Sequence, residues 1–341
     1  MNHCLRRYHT FALPVRARQV ITVESLEDLS RAYQQVQRAK QPLLLLGEGS
    51  NTLFCEDFQG TILLIRLKGL QVEERAEAWH LRVAAGENWH QLVDYTIQQG
   101  MAGLENLALI PGSVGAAALQ NIGAYGVEFK QFCRYVDLID LQQGQPVRLP
   151  ASACQFAYRD SLFKHLEHQR WVIVGVGLNI PKAWHPCLTY GELTPLSTPV
   201  VPQALFNTIC AIRRAKLPDP LLLGNAGSFF KNPLITKHQL QDLLSRYPDL
   251  PYYPHSQRQV KVAAGWLIEQ SGLKGCRIGD AAVHQQQALV LVNLGHATPQ
   301  QVLALAKHIH QQIKQQFAIS LEPEICLMGA TGPLNPAEVL A

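Results

Sequence analysis

The pattern of apolar and polar positions predicts helices alternating with short buried strands in the first part of the chain. Ser25-Leu26-Glu27-Asp28 is a capping box, and the apolar residues that follow it recur at helical spacing through Val36. Apolar runs at 43–46 and 62–65 lie on either side of a glycine loop and predict buried strands. This helix–strand–loop–strand order predicts an α/β or α+β unit.

The same patterns predict further elements along the rest of the chain. Asn88 is placed to cap a helix, and Gly100 is placed to end it in a left-handed conformation. The segment from Pro111 to Gly126 fits neither period. Pro218-Asp219-Pro220 is the best candidate for a domain boundary. The remaining predictions are strands at 136–141, 171–175, 288–292 and 319–327, an extended loop at 181–202, and helices at about 205–216, 236–246, 262–271 and 299–317.

Composition narrows the class of protein. A chain of 341 residues with 47% apolar and 16% charged residues predicts a well-packed globular protein of two or three domains. A net charge of +4, with scattered arginines and lysines, disfavours nucleic acid as a partner and suits an anionic small substrate. Eight widely spaced cysteines predict free thiols in a reducing compartment. Without a metal-binding motif, a signal peptide or an apolar stretch long enough for a membrane span, we expect a soluble, cytoplasmic protein with no metal site.

The stretch Gly224–Pro233 carries the strongest chemical signal. Its two glycines let the backbone bend, and it sets the hydroxyl of Ser228 beside two phenylalanines, Lys231 and Asn232. A core segment does not mix these residue types. We therefore interpret the stretch as the wall of a site, with a glycine turn leading into a buried phenylalanine pair as the alternative.

Two other glycine-rich segments offer surfaces for a ligand. Gly47–Asn51 follows a predicted strand and can form an anion-binding concavity or an ordinary turn. It matches neither the Gly-x-Gly-x-x-Gly pattern of dinucleotide-binding folds nor a P-loop. Segment 110–126 holds four glycines and four alanines in seventeen residues. Such a surface can lie against a flat ring or a diphosphate, or it can be a close backbone crossing.

Polar residues elsewhere can take part in catalysis. Arg159 can fork onto a carboxylate or an enolate oxygen, or pair with its neighbour Asp160. Glu322 and Glu324 are two carboxylates in an otherwise apolar predicted strand, placed in solvent or in a site that raises their pKa. His284 could pair with Ser228 in a serine hydrolase, although the nucleophile motif Gly-x-Ser-x-Gly is absent there.

Taken together with Gly86–His90, Lys216–Pro220 and Ala282–Leu289, these segments resemble the UDP-N-acetylenolpyruvoylglucosamine reductase family, in the family's order across nearly the whole chain. Leu188–Gly191 is similar to the substrate-covering loop of its type I form. The resemblance implies an α+β, three-domain FAD-binding fold of the vanillyl-alcohol-oxidase (PCMH) type. Residues 1–67 with 318–341, and 68–220, would be the two FAD-binding subdomains, and 221–317 the substrate-binding domain.

The resemblance also implies a reaction and roles for named residues. NADPH would reduce FAD, and the flavin would pass a hydride to C3 of UDP-N-acetylglucosamine enolpyruvate, giving UDP-N-acetylmuramate for peptidoglycan. Ser228 would protonate C2, while Arg159 and Glu324 would stabilise the enolic intermediate. The protein would be a monomer. The implied FAD-binding residues are Gly47, Gly49, Ser50, Asn51, Pro111, Gly112, Gly115, Gln120, Asn121, Ile122, Gly123 and Ala124, and the implied substrate-binding residues are Tyr125, Tyr190, Arg213, Lys216, Asn232 and Gln287.

The chain departs from the family pattern in two places. Ala116–Ala118 stands where many relatives carry hydroxyl residues or proline, and His9 stands where the usual residue is asparagine. We expect altered flavin affinity at most. A serine hydrolase and a non-catalytic nucleotide-sugar binder are the two alternatives to the reductase.

Overall fold

The computed structural model describes residues 3–165, 170–189, 191–193 and 199–340, apart from the side chain of Glu192. Short strands are interspersed with helices throughout these ranges. The strands are β1 His3–Cys4, β2 Arg16–Val23, β3 Leu43–Leu46, β4 Thr52–Phe54, β5 Phe58–Ile65, β6 Leu70–Glu74, β7 Ala78–Ala84, β8 Gly123–Ala124, β9 Val127–Glu128, β10 Cys133–Asp140, β11 Gln145–Pro150, β12 Trp171–Pro181, β13 Gly224–Ser228, β14 Leu234–Thr236, β15 Tyr252–Pro254, β16 Gln259–Val262, β17 Arg277–Ile278, β18 Ala281–Val283, β19 Val290–Asn293 and β20 Cys326–Met328. The α-helices are α1 Leu26–Ala39, α2 Trp89–Gln98, α3 Val114–Gln120, α4 Pro202–Lys216, α5 Lys237–Arg246, α6 Ala264–Gln270, α7 Pro299–Phe317 and α8 Pro336–Leu340.

The chain forms two compact units. The central unit comprises Val20–Glu48 and Thr61–Ala215, and the C-terminal unit comprises Met1–Gln19, Gly49–Gly60 and Lys216–Ala341. One boundary therefore falls between Ala215 and Lys216, just before the Pro218-Asp219-Pro220 segment. The finer division into three domains stays a prediction.

The central unit is built on a five-stranded antiparallel sheet in the order β11-β10-β12-β7-β6. Val83, Val136 and Val176 face each other across three neighbouring strands and are fully buried. Apolar side chains that point to the same face of adjacent strands pack together, and this row belongs to the unit's hydrophobic core. Trp89 at the start of α2 joins the core, and its indole N–H donates to the Leu107 carbonyl at 3.0 Å.

The helix caps that the sequence predicts in this unit are present. The Ser25 hydroxyl accepts the Asp28 N–H at 3.0 Å, and the Asn88 side chain accepts the Gln91 N–H at 2.9 Å. Gly100, with φ of +73°, follows the end of α2 in the left-handed region. The Ser25 and Asn88 side chains each satisfy a backbone donor that the start of a helix otherwise leaves unpaired.

The prediction that 111–126 has no regular structure is wrong. Ser113 caps the helix α3 by accepting the Ala116 N–H at 3.4 Å, and the hairpin β8–β9 follows. Gly115 lets this helix pack closely against Ala85, because its N–H donates to the Ala85 carbonyl at 2.9 Å and a Cβ there would lie 2.9 Å from the Ala85 Cβ. The helix is thus supported by a contact with a distant residue, which hydrophobic periodicity does not report.

The C-terminal unit contains the sheet β13-β19-β18-β17, the smaller sheet β14-β16-β15 and the parallel pair β20–β4. The long helix α7 has the predicted Thr298 cap and Pro299 at its first position, and it ends at Phe317 as predicted. Its buried face, including Val302, Leu305 and Ile309, belongs to the core of this unit.

The predicted closing strand 319–327 is too long, because the strand covers only Cys326–Met328. Pro323 has no N–H to donate to a ladder, and it makes only an isolated bridge with Phe230. Glu322 and Glu324 therefore lie in an irregular segment that precedes the strand.

Candidate active site

A bulged strand end presents Ser228. The register of β13 against β19 shifts between Asn225 and Ser228, and Gly227 between them has φ of +71°. The buried Asn225 side chain accepts the Gly227 N–H at 2.9 Å and donates to the carbonyls of Pro218 and Leu223 at 3.2 and 2.8 Å. Sequence reasoning missed this role of Asn225, although asparagine side chains commonly hydrogen-bond the backbone two residues further on.

The two phenylalanines beside the serine belong to the core. Phe229 and Phe230 are each 1% exposed, and their ring centroids lie 4.9 Å apart. Ser228 itself is half-buried. The buried phenylalanine pair that we gave as the alternative is therefore present at residues 229 and 230. It anchors the backbone next to Ser228, which stays partly accessible.

Glu324 lies on the chain segment that pairs with this anchor. Its N–H donates to the Phe229 carbonyl at 2.8 Å, and the Lys231 N–H donates to the Glu322 carbonyl at 2.9 Å. Glu324 is half-buried, whereas the Glu322 side chain is 76% exposed. The Glu322 side chain thus faces solvent, which was one of the two alternatives for this pair of carboxylates. Glu324 instead lies on a segment hydrogen-bonded to the strand end that carries Ser228.

Asn51 of the first glycine loop is tied to the same segment. Its side chain donates to the Glu324 carbonyl at 3.3 Å, and its own carbonyl accepts the Cys326 N–H at 2.9 Å. Three segments that are distant in sequence, around Asn51, Ser228 and Glu324, therefore lie together in the C-terminal unit.

Asn232 and Gln287 occupy other parts of this unit. The Asn232 side-chain oxygen accepts the N–H of Ala264, the first residue of α6, at 2.9 Å. The Gln287 N–H donates to His284 Nδ1 at 3.1 Å, and burial lowers the pKa of His284. Lys216 is exposed at the end of α4.

The surroundings of Gly49 fit a bound polar group. Gly49 has φ of +64°, a Cβ there would lie 2.7 Å from the His9 Cα, and its carbonyl accepts the Thr10 N–H at 3.2 Å. His9 Nδ1 and Thr10 Oγ1 are buried and have no hydrogen-bond partner among the described residues. Buried polar atoms of this kind are rarely left unpaired, so their place beside the expected FAD loop fits the cofactor.

In the central unit, Gly47 and Glu48 lie against the glycine-rich start of α3. A Cβ at Gly47 would lie 2.8 Å from Ser113 Oγ, and the Glu48 carboxylate accepts the Gly112 N–H at 3.1 Å and the Asn88 amide at 2.8 Å. Because the side chains at the start of α3 are small, its backbone can be approached closely. This surface also fits a flat or diphosphate-bearing cofactor.

The polar residues after α3 are held by the protein itself. Gln120 accepts from the Lys164 ammonium at 2.9 Å. The buried Asn121 donates to Glu128 at 3.2 Å and to the Ala157 carbonyl at 2.8 Å, and it accepts the Lys130 N–H at 3.0 Å. The Asn121 side chain thus stabilises the β8–β9 hairpin. Any contact of Asn121 with a cofactor would therefore come from its backbone.

Arg159, Tyr125 and Arg213 gather around this hairpin. The Arg159 Nη2 group donates to the Gly123 carbonyl at 2.9 Å, and Arg159 itself has φ of +55°. The Arg213 guanidinium donates to the Leu109 carbonyl at 3.2 Å and its charge favours the ionised form of the Tyr125 phenol, while its buried Nε has no partner in the described structure. Burial raises the pKa of Tyr125. Two guanidinium groups beside a phenol suit an anionic or enolate ligand.

The expected catalytic residues are thus distributed over both units. Ser228 and Glu324 lie together in the C-terminal unit, and Arg159 lies with Tyr125 and Arg213 in the central unit. Tyr190 lies outside the described residues.

Several structural findings bear on the class of protein. The eight cysteines are free thiols. Within the described ranges, no group of three or more histidine, cysteine or acidic side chains is arranged to hold a metal ion. None of the described helices combines the length and the apolar character that crossing a bilayer requires.

Comparison with known proteins identifies two family domains. A family model described as an FAD-binding domain matches residues 17–150, and one described as the C-terminal domain of UDP-N-acetylenolpyruvoylglucosamine reductase matches residues 219–328. These matches and the mixed helix and strand content confirm the expected α+β fold with an FAD-binding domain.

Full-length relatives agree with these domains. The Escherichia coli protein named UDP-N-acetylenolpyruvoylglucosamine reductase is 51% identical over 342 residues, covering 100% of both chains, and the Salmonella typhimurium protein of that name is 50% identical over the same span. A crystal structure of the reductase from Thermus caldophilus matches with a TM-score of 0.65 and 25% identity, covering 96% of this chain and 98% of that one. The chain therefore belongs to the UDP-N-acetylenolpyruvoylglucosamine reductase family of oxidoreductases.

Proposed function

We propose that the protein reduces UDP-N-acetylglucosamine enolpyruvate to UDP-N-acetylmuramate, a peptidoglycan precursor, as a cytoplasmic, monomeric, NADPH-dependent enzyme. The observation that carries this proposal is the pairing of the Ser228 and Glu324 segments beside Asn51 of the expected FAD loop. The full-length match to proteins named for this activity supports it. FAD, when bound, supplies the hydride-transfer chemistry, with NADPH as the hydride source and C3 of the enolpyruvyl ether as the destination.

In this proposal Ser228 gives its hydroxyl proton to C2 of the substrate. A serine hydroxyl is a weak acid, so it needs a fixed position and polar neighbours to act as a general acid. The bulge at Asn225 and Gly227 fixes the backbone, and Glu324 lies on the segment that is hydrogen-bonded to Phe229, the residue after Ser228. Glu324 would polarise the developing enolic centre or donate a hydrogen bond to it.

Arg159 supplies positive charge for the enolic oxygen. Its guanidinium already donates to the Gly123 carbonyl, so its position is set before the substrate binds. A donor that is oriented in advance toward developing charge is worth about 3–4 kcal/mol of barrier. Arg213 and Tyr125 would hold the anionic part of the same substrate.

The remaining proposed substrate contacts are those that the family resemblance implies. Because the Asn232 oxygen is taken by the Ala264 N–H, its amide NH2 is the end that can face the nucleotide sugar. Lys216, Gln287 and Tyr190 complete the proposed substrate contacts. The proposed FAD contacts are those of Gly47, Gly49, Ser50, Asn51 and residues 111, 112, 115 and 120–124, in three domains divided at about 67, 220 and 317.

The experiment that tests the proposal follows the flavin spectrum of the purified protein. Reconstituted with FAD, the protein should lose its flavin absorbance when NADPH is added without oxygen, and should regain it when UDP-N-acetylglucosamine enolpyruvate is added. Protein that cannot take up FAD, or that is not reoxidised by this substrate, would contradict the proposal. Labelling of Ser228 by a serine-directed phosphonate would favour the hydrolase instead.

A further inference from the structure

Asn106, which sequence reasoning did not single out, makes a pair of contacts that stands out in the central unit. It lies in a 3-10 helix at Glu105–Leu107 and is 2% exposed. Its side-chain NH2 group donates to the Tyr125 carbonyl at 2.9 Å and to the Cys187 carbonyl at 3.0 Å. One buried amide therefore uses both of its hydrogens on two backbone carbonyls from distant segments.

The first of these carbonyls belongs to a residue in an unfavourable conformation. Tyr125 has φ of +48° and Gly126 has φ of +84°, so both central residues of the β8–β9 turn are left-handed. This turn type suits the twist of a hairpin, but the left-handed conformation costs a tyrosine about 1 kcal/mol or more. The Asn106 hydrogen bond holds the Tyr125 peptide in place against that cost.

The same hairpin lies against two of the cationic groups proposed for the substrate site, Arg159 and Arg213. The Gly123 carbonyl accepts from Arg159 at 2.9 Å, and the charge of Arg213 acts on the Tyr125 phenol. A change in the turn would therefore move the Tyr125 hydroxyl and the acceptor of the Arg159 guanidinium together.

The second carbonyl, that of Cys187, lies in a segment that is also held without Asn106. The neighbouring Glu105 carboxylate accepts the Trp184 indole N–H and the Gly103 N–H, the latter at 2.6 Å. The segment that contains Trp184 and Cys187 thus keeps a tie to the 3-10 helix when Asn106 is changed. The Tyr125 carbonyl accepts the Asn106 amide at 2.9 Å and the Cys187 thiol at 3.6 Å, so it loses its stronger donor when Asn106 is changed.

We propose that Asn106 is a positioning residue of the substrate site, which orients Tyr125 and, through the β8–β9 hairpin, the guanidinium groups of Arg159 and Arg213. It acts on an anionic nucleotide-sugar substrate without touching it. This inference rests on the proposed function, because that function assigns those three residues to the substrate.

Asn106→Asp tests it, because aspartate keeps the size of the side chain but replaces the donor with an acceptor that opposes both carbonyls. Asn207→Asp, on the exposed face of α4, is the matched control. Without the Asn106 amide, the Tyr125 carbonyl keeps only the weaker Cys187 thiol donor at 3.6 Å, so the KM for the enolpyruvyl substrate should rise about tenfold. Substrate-dependent flavin reoxidation should slow by a similar factor, while FAD content and the rate of reduction by NADPH stay within about twofold of wild type.

The outcomes separate the two proposals. Wild-type protein that the substrate does not reoxidise overturns the proposed function and this inference with it. A reoxidised wild type with an unchanged Asn106→Asp overturns the inference alone. Equal loss of FAD content, NADPH-driven reduction and reoxidation shows a merely structural role and overturns it too. If Asn106→Asp does not fold, Asn106→Ala is judged by the same three measurements.

Discussion

The backbone N–H of Glu324 donates to the carbonyl of Phe229, the residue after Ser228, across 2.8 Å. The position of the carboxylate segment relative to the serine is therefore set by a main-chain contact and by the buried Phe229–Phe230 pair. A substitution of the Glu324 side chain leaves this contact in place. The chemistry of the carboxyl group can thus be changed with little disturbance of the serine.

Glu324→Gln should lower the rate of substrate reduction about a hundredfold, because it removes an acid-base group while keeping a polar side chain of the same size. Reduction of the flavin by NADPH should be unchanged, and stopped-flow absorbance measures both half-reactions. Glu322→Gln is the matched control, since Glu322 is two residues away and its side chain is 76% exposed. Equal effects of the two substitutions would rule out a specific role for Glu324.

Gly49→Ala should destabilise the protein by about 3 kcal/mol or more, because it combines left-handed strain with overlap against the backbone of Tyr8 and His9. Gly100→Ala provides the control, since Gly100 has a similar φ of +73° with nothing within 4 Å of its Cβ position. Strain alone should cost this control about 1 kcal/mol. Urea unfolding gives both free energies, and flavin absorbance after purification should show that only Gly49→Ala loses FAD.

His9 should make stability depend on pH. Burial lowers the pKa of His9 from 6.5 to about 4, so the unfolded chain takes up the proton first as the pH falls below 6.5. Stability is then lost progressively between pH 6.5 and about 4. His9→Asn, which introduces the residue that the family resemblance leads us to expect at this position, removes this dependence.

Relative to His9→Asn, wild-type protein should therefore lose about 2 kcal/mol of unfolding free energy between pH 7 and pH 5. Urea unfolding at the two pH values measures this difference, and His90 titrates equally in both proteins. His238→Asn is the control, since the His238 side chain is 84% exposed. Parallel pH profiles for wild type and His9→Asn would mean that His9 is not held neutral in the fold.

Local sequence signals accounted for the elements with clear caps. The helices α1, α2 and α7 follow their Ser25, Asn88 and Thr298 caps, because a cap is a hydrogen bond made within a few residues. Helix α3 escaped prediction since it is supported by the contact of Gly115 with the distant Ala85. The closing strand was predicted too long because apolar periodicity does not weigh the missing N–H of Pro323.

The sequence indicated which residues form the candidate site, but not how the fold holds them in place. Ser228, Glu324 and Arg159 were expected from a family resemblance carried by short motifs. The residues that hold the surrounding backbone, Asn225 and Asn106, act through hydrogen bonds to residues that only folding brings near. A left-handed tyrosine at position 125 is likewise unpredictable, because its cost is offset by tertiary contacts that local propensity does not contain.

The most direct measurement of the central claim is a pair of single-turnover half-reactions in Ser228→Ala. If Ser228 donates the proton to C2, NADPH should bleach the flavin of the variant at the wild-type rate, and reoxidation by UDP-N-acetylglucosamine enolpyruvate should fall by at least about a hundredfold. Reoxidation at the wild-type rate, or an equal fall in both half-reactions, would contradict the assignment of Ser228 as the proton donor.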